Sequence, residues 1–124
     1  MSNVFVTGCD HNTEWQLPWF IENFERYNNT QLIIADFGIM NYPDGDYTYV
    51  DMSGNKAKGW FKKPSTLVDV KKLGYNKVCW IDTDCQVLDD ISDIFNYTEP
   101  QKLGMVEDRP WTKRRPDMGT WYNS

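Results

Sequence analysis

Histidine and cysteine are scarce in this chain of 124 residues: one His and three Cys. Cys9, Cys79 and Cys85 are scattered, with neither the even number of a disulfide framework nor the paired spacing of a zinc site. Cys79 lies in an apolar run and reads as core. No apolar run is long enough to span a membrane, and no basic-then-apolar leader opens the chain, so a reducing cytoplasm is the expected location. Positive charge is not in excess. A net charge of −5 argues against bulk attraction to nucleic acid or an anionic membrane. No phosphate-binding Gly-rich loop of the Walker type and no G-x-G-x-x-G occurs, which disfavours P-loop NTPases and dinucleotide dehydrogenases.

What remains is a folded globule. Apolar residues make up 40% and aromatics 15%, too many for a disordered chain. The length suits a single domain over residues 1–124 with one core. Lysines cluster at 56, 58, 62, 63, 71, 72 and 77, and a second basic island holds Arg109, Lys113, Arg114 and Arg115. Most of these read as solvated faces, with one or two left to meet a phosphate. Asn28-Asn29-Thr30 and Asn96-Tyr97-Thr98 match the glycosylation pattern and, without a secretion signal, read as chance.

Hydrophobic periodicity alternates strand with helix. Strands are expected at residues 3–7, 31–36, 47–50, 78–81 and 103–107. Helices are expected from about 13 to 28, from 64 to about 73, and over 89–95, with loops at 39–47, 51–60 and 108–118 and a last extended segment at 119–123. Leu17, Phe20, Ile21 and Phe24 form the apolar stripe of the first helix, and Pro18 falls in its tolerant first turn. Gly74 closes the second helix. Trp15 and Trp19 read as core or helix surface. Strands alternating with helices imply βαβ units and a mainly parallel sheet, hence an α/β fold. Ligands of such sheets bind beyond the carboxyl ends of the strands. The residues leaving those ends are Thr7-Gly8-Cys9-Asp10, Asp36-Phe37-Gly38, Asp82-Thr83-Asp84 and Glu107-Asp108-Arg109.

The third of these exits is the most informative. Trp80-Ile81-Asp82-Thr83-Asp84-Cys85 sets two carboxylates one residue apart directly after an apolar strand. Close like charges raise one pKa unless a cation lies between them. Oxygen-preferring Mg²⁺ or Mn²⁺ is the natural occupant, shared with substrate phosphates. The same two acids also suit a turn with a helix cap. Asp89 and Asp90 fit the N-terminus of the helix that follows, by its dipole. Asp36 fits a turn as well as a ligand contact. His11 reads as a solvated loop residue.

Residues 80–95, WIDTDCQVLDDISDIF, resemble the Asp-x-Asp region of GT-A-fold glycosyltransferases, most closely the retaining families that use nucleotide sugars. That pattern is an apolar strand, Asp-x-Asp, a short aliphatic strand (Gln86-Val87-Leu88), then an acidic short helix ending in Phe. Phe61-Lys62-Lys63-Pro64-Ser65-Thr66-Leu67 resembles the preceding helix, and Thr120-Trp121-Tyr122-Asn123-Ser124 the start of the strand after it.

The resemblance implies a Rossmann-like donor-binding core in short form and metal-dependent transfer of a hexose from a UDP-sugar to an acceptor hydroxyl, saccharide or other. It places Thr7, Gly8 and Cys9 at the nucleobase and ribose, Asp36 at the uracil, and Lys63 (or Lys58) at the diphosphate. Asp82 and Thr83 fall in the donor site, and Asp82 and Asp84 hold Mn²⁺ or Mg²⁺. The family's further, often histidine, metal ligand and its acceptor-binding half have no counterpart here. A fragment, a minimal form or a completing partner chain is therefore expected, and an unprotected last strand points to a homodimer. Two other classes stay open: a nucleotide-sugar-binding module without transfer activity, and a metal-dependent nucleotidyl or phosphoryl transferase.

Overall fold

The computed structural model describes residues 3–54 and 62–97. Four strands, β1 (Val4–Cys9), β2 (Leu32–Asp36), β3 (Thr48–Asp51) and β4 (Val78–Trp80), form one sheet in the order β3-β2-β1-β4. Every pairing is parallel. Two helices, α1 (Leu17–Tyr27) and α2 (Lys62–Lys71), complete an α/β architecture. The chain steps outward from β1 through β2 to β3, then returns past β1 to lay down β4. Right-handed crossovers in those two directions put the helices on opposite faces.

Side-chain alternation confirms this division. Val6 lies opposite Ile33 and Trp80. With Val4, Ala35 and Met52 it packs against Val70 of α2, and Val78 and Trp80 border that cluster. The other face carries Phe5, which packs on Phe20 and Phe24 of α1 and on Phe95. The Phe5 and Phe24 rings meet edge to face, with centroids 5.4 Å apart. Cys9 and Ile34 extend this face under Leu17 and Ile21. Trimming Phe24 to alanine would remove about 3–5 kcal/mol of packing.

Several boundaries differ from the sequence expectation, each for a physical reason. The helix expected from residue 13 is split into a 3-10 turn, Glu14–Gln16, and α1. Pro18 has no N–H to reach the Glu14 carbonyl, and the Leu17 N–H takes it instead. Gln86-Val87-Leu88 is not a strand; Val87 instead turns inward against the Phe5 cluster. The helix expected at 89–95 is a 3-10 helix, Ser92–Tyr97, preceded by Asp90, whose Oδ1 accepts the Ser92 N–H at 2.9 Å. Asn28 is buried, donates to the Phe24 and Asp89 carbonyls and accepts the Ile91 N–H, so it serves as a clasp and not as a glycan acceptor.

The expected strand at 103–107, the loop at 108–118 and the segment at 119–123 lie outside the described residues. So do Lys58, Trp60, Glu107, Asp108, Trp111, Trp121 and the terminal strand behind the dimer expectation. Among the described residues, no helix is long and apolar enough to cross a membrane.

Candidate functional site at the carboxyl edge of the sheet

All four strands run into an aspartate. Asp10 follows β1, Asp36 and Asp51 end β2 and β3, and Asp82 comes two residues after β4. Three of these carboxylates cap their own exit turns. Asp10 Oδ1 accepts the Asn12 N–H at 2.9 Å, Asp36 Oδ1 those of Gly38 and Ile39 at 2.9 and 2.7 Å, and Asp51 Oδ1 that of Ser53 at 2.9 Å. Asp36 Oδ2 also accepts the Tyr42 hydroxyl at 2.5 Å. Partial burial opposes ionisation of Asp36, but the Ile39, Tyr42 and Gly38 donors outweigh it and hold its carboxyl below the usual range. Asp36 thus caps its turn and also holds the Tyr42 hydroxyl.

Asp82 is the exception. Its exit turn is closed by the backbone, with the Cys85 N–H on the Asp82 carbonyl at 3.1 Å. Its carboxylate is left to side chains from two other parts of the fold. Trp80 Nε1 donates to Oδ1 at 2.7 Å, and Lys63 Nζ, from the first turn of α2, lies 2.8 Å from Oδ1 and 3.1 Å from Oδ2. Burial pushes the Asp82 pKa up, but the Lys63 and Trp80 hydrogen bonds and the Lys63 charge prevail, so the carboxyl sits below its ordinary value. It is an anion held in place by one cation and one indole.

Gly8 makes this arrangement possible. A Cβ built there would lie 2.9 Å from each of Ala35 Cβ, Phe37 Cε2 and Trp80 Cη2. The missing side chain leaves a shelf over which the Trp80 ring crosses the end of β1 to reach Asp82. Lys62, beside Lys63, stacks its ammonium 5.3 Å from the Phe37 ring centroid.

The remaining sequence candidates separate into two sets. Lys63, Asp82, Thr83 and Asp84 come together where the strand order reverses between β1 and β4. Thr83 is buried and donates to Gln16 Oε1 at 2.7 Å, which fastens the Asp-x-Asp loop to the 3-10 turn before α1. Asp84 and Cys85 are exposed. The second set faces inward. Thr7 and Cys9 are buried against the α1 side, and Gly8 is roofed by Phe37 and Trp80. Burial, with the Glu14, Asp10 and Asp36 charges, pushes the Cys9 thiol up to about 12, which keeps it a neutral core residue. Among the described residues, no three His, Cys, Asp or Glu side chains converge as a ready-made metal centre.

One arrangement had no signal in the sequence. Glu14 is buried, only 8% exposed, yet charged. Its Oε1 accepts the Met40 N–H at 3.1 Å and meets His11 Nδ1 at 2.6 Å, and its Oε2 accepts the Asn41 N–H at 2.7 Å. His11 is exposed in its loop, as expected, and in addition pairs with Glu14. These partners are up to 27 residues apart in sequence, and no local pattern announces such a bond.

Searches of family models, of curated proteins and of solved structures return no match. The functional reading therefore rests on the residues themselves.

Proposed function

We propose that the crevice between the ends of β1 and β4 binds the diphosphate of a nucleotide sugar together with Mn²⁺ or Mg²⁺. In this reading the protein is a metal-dependent glycosyltransferase that moves a hexose from a UDP-sugar to an acceptor hydroxyl. The observation that carries it is Asp82: alone among the four strand-exit aspartates, it is not spent on its own turn, and it stands where the strand order reverses. In open parallel sheets that is where ligands bind. The order β3-β2-β1-β4 also matches the first four strands of the Rossmann order, with the reversal between β1 and β4, which supports the GT-A reading of residues 80–95.

The donor set suits a hard divalent ion. Asp82 and Asp84 offer carboxylate oxygens, Asp82 is held ionised, and Asp84 is open to solvent. When bound, the ion neutralises the diphosphate so that it becomes a competent leaving group. The protein's own residues do the rest. Lys63 holds a positive charge at the crevice, within 3.1 Å of both Asp82 oxygens, where phosphate charge would come to rest. Trp80 orients Asp82, and Thr83 pins the loop to Gln16.

Calorimetric titration of UDP, with and without Mn²⁺, tests this. Binding that requires Mn²⁺ and is lost in Asp84→Asn is the expected result. Absence of binding in both conditions would refute the donor site. Acceptor-dependent release of UDP from a UDP-hexose then separates a transferase from a module that only binds.

A further inference from the structure

A groove of about 790 Å³ opens beside the 3-10 turn and the start of α1, facing the loop between β2 and β3. Its volume falls within the range of small-molecule sites. Trp15 stands on one side, 74% exposed, and Tyr42 and Tyr47 on the other. The lining also includes Glu22, Glu25, Asp44 and Asn41.

The walls are fixed in advance. Glu14 ties the turn to the Met40 and Asn41 amides across the groove. Asp36 holds the Tyr42 hydroxyl, and Tyr42 meets Tyr49 edge to face at 5.1 Å. Gly45, at φ +120°, lies against the Tyr47 ring, whose atoms come within 2.7 Å of where a Cβ would stand. Only glycine fits that bend.

We propose that this groove is a saccharide site, and that it presents the acceptor for the transfer proposed above. It takes from that reading only the reaction it serves. Aromatic faces offer large apolar area to the C–H faces of a sugar ring. Carboxylate and amide oxygens flank them as acceptors for sugar hydroxyls, the charged ones giving the stronger bonds. Two of the four lining carboxylates already have partners. Glu14 is taken by His11 and two amides, and Glu22 pairs with Arg26 at 3.2 Å. One hydrogen bond ties the turn beside the groove to the candidate donor loop. Thr83, between Asp82 and Asp84, is hydrogen-bonded to Gln16, and Gln16 adjoins Trp15 in the same turn.

The test is saturation-transfer NMR and tryptophan fluorescence titration of the whole chain with maltotriose, cellotriose and methyl hexosides, without nucleotide or metal. Pentalysine at low and high salt serves as the competing probe, and UDP with Mn²⁺ is titrated in parallel. Saturable, salt-insensitive saccharide binding, weakened about tenfold in Trp15→Ala with UDP binding retained, is the expected result. No saccharide binding to the wild type, or equal binding to Trp15→Ala, overturns the proposal. Salt-sensitive pentalysine binding that is lost in Glu25→Gln, with no saccharide bound, overturns it in favour of a cationic occupant. Saccharide binding without UDP binding would leave this site standing and remove the donor reading instead.

Discussion

Substituting Gly8 with alanine tests the packing beneath the candidate site. Gly8 sits in β1 in register with Ala35 of β2, two residues beyond the last β1–β4 pair, Val6 and Trp80, so its backbone is held by β2. The new methyl would stand 2.9 Å from three carbon atoms, whereas comfortable carbon contacts lie at about 3.5–4.0 Å. Ala35 Cβ belongs to a buried strand and cannot retreat. The Phe37 and Trp80 rings must therefore turn away. Overpacking of this kind costs about 1–3 kcal/mol, offset by up to about 1 kcal/mol because alanine narrows the unfolded ensemble. The expected net loss is about 1–2 kcal/mol, or roughly 4–8 °C in Tm for a domain of this size. Urea and thermal denaturation, followed by tryptophan fluorescence, measure it. A second signature belongs to the site. Turning Trp80 breaks its bond to Asp82, so the Asp82 pKa rises toward the ordinary carboxylate value, as read by NMR titration. Combining Gly8→Ala with Trp80→Leu should cost less than the sum of the two changes, since the second removes the obstacle to the first. Unchanged stability together with an unmoved Trp80 indole N–H resonance would refute the argument.

Three further outcomes follow from the hydrogen-bond geometry. Lys63→Gln should raise the Asp82 pKa; because the folded value is depressed, the wild-type advantage is present above about pH 4 and fades as pH falls through the folded pKa. Both side chains are two-fifths exposed (42% and 44%), so solvent screening holds that advantage to about 0.2–1 kcal/mol, measurable as a pH-dependent difference in urea midpoint. Asn28→Ala should cost about 1–3 kcal/mol in chemical denaturation, because it leaves the Ile91 N–H and the Asp89 carbonyl without their partner. For Glu14, burial opposes ionisation but the His11, Met40 and Asn41 hydrogen bonds hold the carboxyl below its usual range. Its contribution is therefore present above about pH 4.3 and lost on acidification through the folded pKa. The protection factors of the Met40 and Asn41 amides against hydrogen exchange should fall on acidification, and at neutral pH in Glu14→Gln.

The sheet was legible in the sequence because its signals are local. The β-branched run at 32–36 and the acid that ends it could be read directly, as could the stripe of Leu17, Phe20, Ile21 and Phe24. What escaped was set by tertiary contact. Gly8 and Cys9 continue β1 because they pair with Ala35 and Asp36 of β2, which no window around residue 8 contains. Gln86-Val87-Leu88 has strand-like composition, yet Val87 is drawn into the Phe5 cluster. In the site, the importance of Asp82 came from its position after an apolar strand, and the turn-forming alternative for Asp36 was equally readable. That Lys63 would lie on Asp82 itself could not be read, since α2 brings it there across 19 residues. Trp15 looked like core or helix surface by spacing alone. Its exposure follows from Pro18, which shifts the start of α1 and leaves residues 14–16 in a tighter turn.

Following each of the four described strands with an aspartate also has a kinetic effect. Asp10, Asp36, Asp51 and Asp82, joined by Asp84, gather like charge along one rim of a molecule that is already net negative. A free nucleotide diphosphate approaching that rim does so against the field, whereas the same molecule already carrying a divalent ion arrives with most of its charge cancelled. Association of the bare nucleotide should therefore speed up as salt shortens the reach of the repulsion, the reverse of electrostatic steering. The rim would then select, before any contact is made, for the metal-loaded form of its ligand.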